Sequence, residues 1–502
     1  MTDGGSPDTT VLAGDSAEFA APVSGAVPGP DQVERGTPWR AVSVAMAGAF
    51  MAILDTFIVL VALPTIQHGL HASDAQIQFV VAGYQIIYAV MMITGARLGD
   101  RYGRRLVFTA GMALFTLASA GCAAAPGPAT LIGARLVQGL GASLMFPQVF
   151  SMIQVLVPAE RRSQVLGVFG AVIGGASVFG QLIGGLLISA NLFHSTWRPV
   201  FWVNVPVGLL ALLLAVRWIP ENRSEQSRRL DLAGAGVLTI VILLVIVPLI
   251  EGRQLGWPAW TWASLAAGLA MLAVFIRVER GVAARGGSPL VALRVFSERA
   301  FSLGVLLVLA VYAGLSSFFL VLSLVLQDGL RLSPLGAGLV YLPEAAVFFA
   351  ASLIAGRLGP DRSRTLLRTG ILVLILGYGA VIAVAALAGG RLGFWEIIPC
   401  LTVQGIGAGL VVTPLFGAIL SRIRPEETGT AAGVLSTAQQ LGGSIGVAVI
   451  GVLFFDTLGV GVAGVARYAH AFAIAVCFNT ATAVAGAVLV FFLVRSRTDA
   501  AE

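Results

Sequence analysis

The stretch GARLGDRYGRR, residues Gly95 to Arg105, decides how the rest of the chain is interpreted. It carries one aspartate and four arginines, and it lies between two apolar runs, Ile77–Thr94 and Leu106–Ala125. Each run has about 18 to 20 residues, enough for a helix to cross a hydrocarbon core of roughly 30 Å. The stretch is therefore predicted to be a short polar turn between two membrane-spanning helices. Its arginines place it on the cytoplasmic side.

The composition of the whole chain supports this interpretation. Of its 502 residues, 57% are hydrophobic and only 11% are charged, which leaves too little polar surface for a soluble domain. All 31 basic residues are arginine. Without lysine the chain has neither a GxxxxGK[ST] phosphate-binding loop nor a retinal Schiff base, so a self-contained ATP-driven or light-driven pump is excluded. The net charge of +6 is explained by topology, and no nucleic-acid partner is predicted.

Cysteine usage and the first residues of the chain add two further expectations. Cys122, Cys400 and Cys477 lie far apart in apolar runs, so neither a disulfide framework nor a metal site is predicted. Residues 1–38 are rich in glycine, proline, serine and acidic residues, and no basic segment precedes an apolar run. They are predicted to be a disordered cytoplasmic tail rather than a cleaved signal peptide.

Fourteen apolar runs are predicted to span the membrane. These are Trp39–Ile66, Gln76–Leu98, Arg105–Ala124, Ala129–Met152, Ser163–Ala190, Pro199–Ile219, Leu230–Ile250, Ala259–Arg277, Ala300–Gln327, Pro334–Leu358, Thr365–Leu387, Trp395–Leu420, Thr430–Asp456 and Ala471–Val494. An even number places both termini on the same side. Of the 31 arginines, 25 then fall in cytoplasmic segments, 5 fall outside and Arg135 lies within a span. A missing or extra span would destroy this asymmetry.

An internal repeat indicates the architecture. RLVQGLGASLMFP from Arg135 recurs as LTVQGIGAGLVVTP from Leu401, at an offset of 266, and Arg97 and Arg357 lie in a second repeated motif at an offset of 260. Parallel repeats of six spans are typical of transporters built from two related halves. The predicted fold is all-α, with a six-helix bundle over residues 39–224, two inserted helices over 225–277, a cytoplasmic linker over 278–299 and a second six-helix bundle over 300–497.

Three ionisable side chains lie deep in predicted spans. Asp55 is about ten residues, or roughly 14 Å, from the outer end of span 1, and Arg135 is at a similar depth in span 4. Glu344 lies about ten residues below the outer end of span 10. Intramembrane acids are costly and mark functional sites by default, so Asp55 and Glu344 are candidate proton carriers, with Arg135 expected to hold Asp55 or a neighbouring carbonyl. The competing interpretation is that Asp55 merely pairs with a neighbouring helix.

The central stretch resembles the loop between spans 2 and 3 of the major facilitator superfamily, GxLaDrxGrk, with Ala96 in place of its first glycine. Span 5, GASVFGQLIGGLL, is similar to the antiporter motif GxxxGPxxGG except at Gln181, where proline is usual. WRPVFWVNVPVG from Trp197 resembles the superfamily's entry to span 6. In LDTFIVLVALP from Leu54, Phe57 and Leu60 replace the usual threonine and asparagine.

The resemblance implies a role for each of three groups of residues. The conformational-switch loop would comprise Gly95, Gly99, Asp100, Arg101, Gly103 and Arg104. Close helix packing would use Gly180, Gly184 and Gly185. The substrate cavity would be lined by Phe57, Gln138, Gln181, Tyr341 and Gln404.

The resemblance covers about residues 39 to 497 and points to the fourteen-span drug:proton antiporter branch. It implies export of small amphipathic compounds in exchange for protons, across the cytoplasmic membrane of a bacterium, with no enzyme activity, no cofactor and no required protein partner. A proton-coupled symporter for uptake of a metabolite would share the fold. The sequence also admits an exporter dedicated to one natural product and, as a different class, a membrane sensor that transports nothing.

Overall fold

A computed structural model describes most of the chain. The described residues are 37–191, 195–221, 231–285, 287, 289, 293–359, 362–420, 423, 428–459 and 464–495. Within these ranges the chain is helical and contains no strand. The predicted tail, residues 1–38, lies almost entirely outside the described residues.

Fourteen long helices make up the described structure, and we label them in chain order. They are α1 Thr37–Leu70, α2 Asp74–Tyr102, α3 Arg104–Ala124, α4 Pro128–Leu156, α5 Ala159–Ala190, α6 Pro199–Trp218, α7 Leu232–Glu251, α8 Ala259–Ala284, α9 Arg299–Leu324, α10 Pro334–Leu358, α11 Ser363–Ala388, α12 Phe394–Leu420, α13 Thr428–Leu458 and α14 Val465–Arg495. Thirteen are long and apolar enough to cross a membrane by their described residues alone. The 32-residue α5 completes the fourteen.

The helices form two bundles of six. Helices α1 to α6 pack on one another, as do α9 to α14, and the bundles meet where α1 contacts α9, α2 contacts α13 and α5 contacts α10. Helix α7 packs against α2 and α13, and α8 packs on α7. The predicted architecture of two six-helix bundles with two inserted helices is therefore confirmed. Helix α8 continues to Ala284, so the predicted linker at 278–299 begins inside a helix.

Two sides of the molecule need names. We call the side that carries the α2–α3 connection at Gly103 the arginine-rich side. The opposite side carries the connections α1–α2, α7–α8, α9–α10 and α13–α14, and we call it the distal side. At the start of α2 on the distal side, the Ser73 hydroxyl accepts from the Gln76 backbone N–H while the Gln76 side chain accepts from the Ser73 N–H, a capping box that fixes where α2 begins.

The bundles are in contact on the distal side. The Gln327 amide donates to the Val61 carbonyl at 2.8 Å, and the His68 ring lies 3.0 Å from the Asp328 carboxylate, so α9 and its π-helical continuation are joined to α1. Between α5 and α10, the Leu335 N–H donates to a serine hydroxyl of α5 at 3.1 Å. On the distal side the two bundles are thus in direct contact.

The predicted turn at Gly95–Arg105 is almost entirely helical, which corrects the sequence-based expectation of a loop. Helix α2 continues to Tyr102 and α3 begins at Arg104, so Gly103 alone separates them. Gly103 has φ of 106°, a conformation that residues other than glycine rarely adopt. A helix can extend past the hydrocarbon core when its last turns carry charged side chains, which hydropathy alone cannot distinguish from a loop.

Glycines bring α3 and α4 into backbone contact, and the second bundle repeats the arrangement. A Cβ on Gly141 would lie 2.5 Å from the Phe115 nitrogen, and a Cβ on Gly407 would lie 2.5 Å from the Leu374 nitrogen. Small residues allow this close approach of membrane helices. The repeat found in sequence is therefore also a repeat of three-dimensional contacts.

The Gly141→Ala substitution is expected to destabilise the protein by about 1–3 kcal/mol, because the methyl group would overlap backbone atoms of α3 that cannot move aside. Gly133→Ala, on the same helix, is the matched control, since a Cβ there meets no atom within 4 Å. It is expected to leave stability unchanged or raised by up to about 1 kcal/mol. Thermal unfolding of the purified proteins in detergent tests both, and equal unfolding temperatures would contradict the packing argument.

Candidate functional site

Asp55 lies in the middle of α1 with none of its surface exposed. Three side chains donate to its carboxylate: Arg135 at 2.5 Å, Gln138 at 2.8 Å and Asn204 at 2.8 Å. They come from α4 and α6, so the acid sits inside the first bundle rather than on its surface. An intramembrane carboxylate held by a cation and two amides is a fully satisfied buried charge.

Arg135 is held as tightly as the acid that it pairs with, and it is 1% exposed. Its Nε donates to the Val80 carbonyl of α2 at 3.0 Å, and its guanidinium lies 4.3 Å from the centre of the Tyr84 ring. The Gln138 amide also donates to the Ser119 hydroxyl of α3 at 2.8 Å. Side chains or carbonyls from five helices thus meet around one ion pair.

The sequence predicted part of this site. The contact between Arg135 and Asp55 is present, as their similar depths indicated, and Gln138 lies beside them. Asn204, Ser119 and Tyr84 were missed as members of the site, although Asn204 belongs to the motif at the start of span 6. That motif was the available signal, since a polar side chain one turn inside a span needs a partner.

The second bundle contains the same positions without the charges. Close backbone contacts relate Gly139 on α4, which abuts the Tyr84 carbonyl, to Gly405 on α12, which abuts the Glu344 carbonyl. At that offset of 266, Leu401 corresponds to Arg135.

The acid is missing from its counterpart position as well. Gly180 abuts the Leu54 carbonyl and Gly446 abuts the Ala313 carbonyl, so Gly314 corresponds to Asp55. Where the first bundle has the ion pair of Asp55 and Arg135, the second bundle therefore has Gly314 and Leu401.

The polar side chains around that position form a neutral counterpart of the first site. Asn479 donates to the Gly314 carbonyl at 2.6 Å and to the Ser317 hydroxyl at 2.9 Å. The amide of Gln404, the counterpart of Gln138, and the Tyr378 hydroxyl are buried, and neither makes a well-formed hydrogen bond within the described structure. Gln404 was predicted to line the substrate cavity, and the structure places it inside the second bundle.

Glu344 occupies the position that corresponds to Tyr84 and is 4% exposed. Among the described residues, no ion pair or hydrogen bond reaches its carboxyl group. The Asp55 carboxylate contacts a cation and two amide donors, whereas no cation contacts the Glu344 carboxyl among the described residues. The two deep acids therefore lie in opposite electrostatic environments.

Aromatic side chains connect the two bundles near this depth. The Phe57 ring on α1 contacts the Phe319 ring on α9 edge-on, with centroids 5.7 Å apart. Phe319 in turn lies 5.9 Å from Tyr341 on α10. Gln181 is buried at the contact of α5 with α10, where its backbone carbonyl faces Gly338. Phe57, Tyr341 and Gln181 thus lie at the interface between the bundles, and their role as cavity lining stays a prediction.

The three packing glycines of α5 divide between two neighbours. A Cβ on Gly180 would lie 2.8 Å from the Leu54 carbonyl, and one on Gly184 would lie 2.9 Å from the Ile58 side chain, so both face α1. A Cβ on Gly185 would lie 2.5 Å from the Pro334 carbonyl of α10. Helix α5 therefore packs against α1 of its own bundle through Gly180 and Gly184, and against α10 of the other bundle through Gly185.

The residues of the predicted conformational-switch loop pack against α4. A Cβ on Gly95 would overlap the Ser143 carbonyl, and one on Gly99 would overlap the Gln148 side chain. Gln148 donates to the Gly95 carbonyl at 2.8 Å. These two glycines are needed for the close approach of α2 to α4.

Most charged residues of the same stretch lie near its C-terminal end. Asp100 pairs with Arg104 at 3.2 Å across Gly103, and Arg101 lies over the Tyr102 ring. Arg97, closer to the middle of the helix, donates to the carbonyl of Pro289 in the connection from α8 to α9. The stretch thus contacts the connection from α8 to α9, and its role in switching stays a prediction.

Two comparisons by sequence bear on these observations. Residues 45–447 match the family model described as Major Facilitator Superfamily. The chain is 36% identical over 438 residues to a probable actinorhodin transporter of Streptomyces coelicolor, covering 86% of this chain and 76% of that protein. It is 32% identical over 435 residues to a tetracenomycin C resistance and export protein of Streptomyces glaucescens, covering 85% and 77%.

A solved structure shares the fold. It comes from work on the selectivity mechanism of a bacterial homologue of the human drug peptide transporters PepT1 and PepT2, and it matches with a TM-score of 0.63 over 91% of this chain and 98% of that chain. The sequences are 14% identical, so the likeness concerns the arrangement of helices alone.

Proposed function

The chain belongs to the major facilitator superfamily and is a multi-pass membrane transporter rather than an enzyme, and we propose that it exports small amphipathic compounds in exchange for protons. The tetracenomycin C resistance and export protein and the probable actinorhodin transporter among its relatives support an antibiotic or drug as cargo. By the arginine distribution, the arginine-rich side faces the cytoplasm of a bacterium, as do both termini.

The observation that carries this proposal is the isolated ion pair of the first bundle. A buried ion pair is often no more stabilising than apolar residues of the same size, so it is weak evidence for a structural purpose. The second bundle shows that this fold can be built with Gly314 and Leu401 at the same positions. Asp55 and Arg135 therefore serve transport rather than folding. Reversible protonation is the chemistry that a carboxylate at this depth can contribute.

Arg135 sets how the acid responds to a proton. Its guanidinium cannot discharge, so protonation of Asp55 removes the attraction across their 2.5 Å contact and leaves a net positive charge. The Arg135 side chain then keeps its hydrogen bonds to the Val80 carbonyl and the Gln138 side-chain oxygen and its contact with the Tyr84 ring. A proton on Asp55 is thereby coupled to the packing of α1 against α2 and α4.

Transport follows if the two bundles alternate in which side they open. Cargo enters from the cytoplasm and favours the deprotonated acids, and protons from outside then displace it and return inward. A membrane potential supplies about 2.3 kcal/mol per charge per 100 mV. Export of a neutral compound against a tenfold gradient requires about 1.4 kcal/mol, so one proton is sufficient and a second carrier, Glu344, would suit cationic cargo.

Efflux from cells that lack their own exporters tests the proposal. Cells producing the protein are expected to accumulate less actinorhodin, tetracenomycin C or a cationic dye than cells without it, and a protonophore is expected to abolish the difference. Accumulation above that of control cells would instead favour the proton-coupled uptake of a metabolite. Export that persists unchanged with the protonophore would remove the proton from the mechanism.

A further inference from the structure

The inserted hairpin α7–α8 is seated on the line where the two bundles meet. The buried face of α7 recurs every three or four residues: Ala235, Leu238, Ile242, Ile246 and Ile250. This spacing puts one helical face against α2 of the first bundle and α13 of the second, which α7 contacts together. The hairpin is thus placed to join the halves rather than to extend either.

Its connection on the distal side joins them through one side chain. The Arg253 guanidinium lies 3.2 Å from the Asp74 carboxylate at the start of α2 and donates to the Phe455 carbonyl near the end of α13 at 2.6 Å. The Asp456 carboxylate lies 3.9 Å away. Arginine suits this position because its fork presents several donors in fixed directions.

The next residue attaches the connection to the first bundle. When the Gln254 side-chain amide is oriented so that its oxygen faces donors and its nitrogen faces acceptors, the oxygen accepts from the backbone N–H groups of Ala75 at 2.9 Å and Asp74 at 3.3 Å. These groups belong to the first turn of α2, where backbone donors lack partners within the helix. Since these bonds go to α2, the hairpin connection is fixed to the first bundle and reaches the second through Arg253.

The connection is ordered by its own backbone. The Trp257 N–H donates to the Gly252 carbonyl at 2.7 Å, and the Leu255 N–H donates to the Glu251 carbonyl at 3.1 Å. The chain reverses at Gly256, where φ is 69°. A turn closed by these bonds holds the Arg253 side chain in place, so little entropy is lost when its contacts form.

We propose that the α7–α8 hairpin is a latch that holds the distal side of the transporter closed, with Arg253 as its releasable contact. Helices α2 and α13 belong to different bundles, so opening of the distal side separates them. The hydrogen bond from Arg253 to the Phe455 carbonyl and its ion pair with Asp456 are then lost, while the contacts of the hairpin with α2 persist. This role goes beyond the proposed export function and does not depend on the identity of the cargo or the coupling ion.

Distances between spin labels on the two bundles test the latch. Labels are attached at His71, in the α1–α2 connection, and Arg331, in the α9–α10 connection, both of which are exposed. The native cysteines are first replaced by alanine, namely Cys122, Cys400 and Cys477. The Arg253→Gln variant is expected to raise the population with a longer distance between the labels by about threefold to tenfold, because one contact between the bundles is lost. The increase is limited because the contacts between α1 and α9 remain.

Arg467→Gln is the matched control. Arg467 also lies on the distal side and donates to a carbonyl near the end of α13, that of Leu458, but both residues belong to the second bundle. Its loss is expected to leave the distances unchanged. Asp74→Asn, which removes the carboxylate partner and keeps Arg253, is expected to shift the distances in the same direction as Arg253→Gln but less.

A distance distribution like that of the parent in Arg253→Gln overturns the proposal, and so does an equal shift in Arg467→Gln. If Arg253→Gln does not accumulate as folded protein, a parent-like distribution in Asp74→Asn has the same consequence. The measurement uses neither cargo nor a proton gradient, so its result is independent of the result of the efflux experiment.

Discussion

Asp55→Asn is expected to reduce proton-driven export to the level of cells without the protein and to destabilise the fold by about 3–5 kcal/mol. The first effect arises because an amide cannot take up and release a proton at this depth. The second arises because Arg135, 1% exposed, would be left as a buried charge without a counter-charge. Cargo efflux driven by an imposed pH gradient in proteoliposomes measures the first effect, and thermal unfolding in detergent measures the second.

A double variant separates the two effects. In Asp55→Asn combined with Arg135→Leu, both charges are absent, and the new leucine copies Leu401, which stands at the corresponding position of the second bundle. Most of the lost stability is expected to return, because neutral residues can replace a buried ion pair without penalty. Export is expected to remain absent. Recovery of proton-driven export in the double variant would show that the pair is only a packing feature.

Glu344→Gln is expected to abolish proton-driven export of a cationic cargo, but without loss of stability. No cation or hydrogen-bond donor among the described residues contacts the Glu344 carboxyl, so an amide of the same shape leaves no charge unpaired. The same two measurements apply to it. The expected result is a parent-like unfolding temperature with export at background, in contrast to Asp55→Asn.

Glu396→Gln provides the comparison for this variant, since Glu396 is an exposed acid in the first turn of α12 of the same bundle. It is expected to export at the parent rate. Proton-driven export by Glu344→Gln at the parent rate would remove Glu344 from the mechanism and leave Asp55 as the single carrier. A large loss of stability in Glu344→Gln would instead show that the carboxyl group has a structural partner.

The number of spans, the repeat and the pairing of Asp55 with Arg135 could all be predicted from the sequence. Hydrophobic length and arginine distribution determine how often the chain crosses the membrane, and the depth of a charge follows from counting residues along a helix. The helical nature of the switch stretch could not be predicted, because a polar stretch between two apolar runs fits either a turn or two helix ends joined at Gly103.

The remaining members of the site depend on how each helix is rotated about its axis. Asn204 and Ser119 point at the ion pair only because α6 and α3 present those faces, and apolar spans carry little periodicity from which to read a face. The correspondence of Glu344 with Tyr84 could nevertheless be predicted from the sequence. The offset of 260 between Arg97 and Arg357 relates these two positions directly.

The uncharged counterpart of the ion-pair site has a consequence for how this protein can change. The counterparts of Asp55 and Arg135 in the second bundle, Gly314 and Leu401, carry no charge, so substitutions at these two positions cost mainly packing energy. In the first bundle, replacing either Asp55 or Arg135 alone leaves the other as a buried charge without a counter-charge. Selection for new cargo in the laboratory is therefore expected to alter residues near Gly314 and Leu401 more often than residues near Asp55.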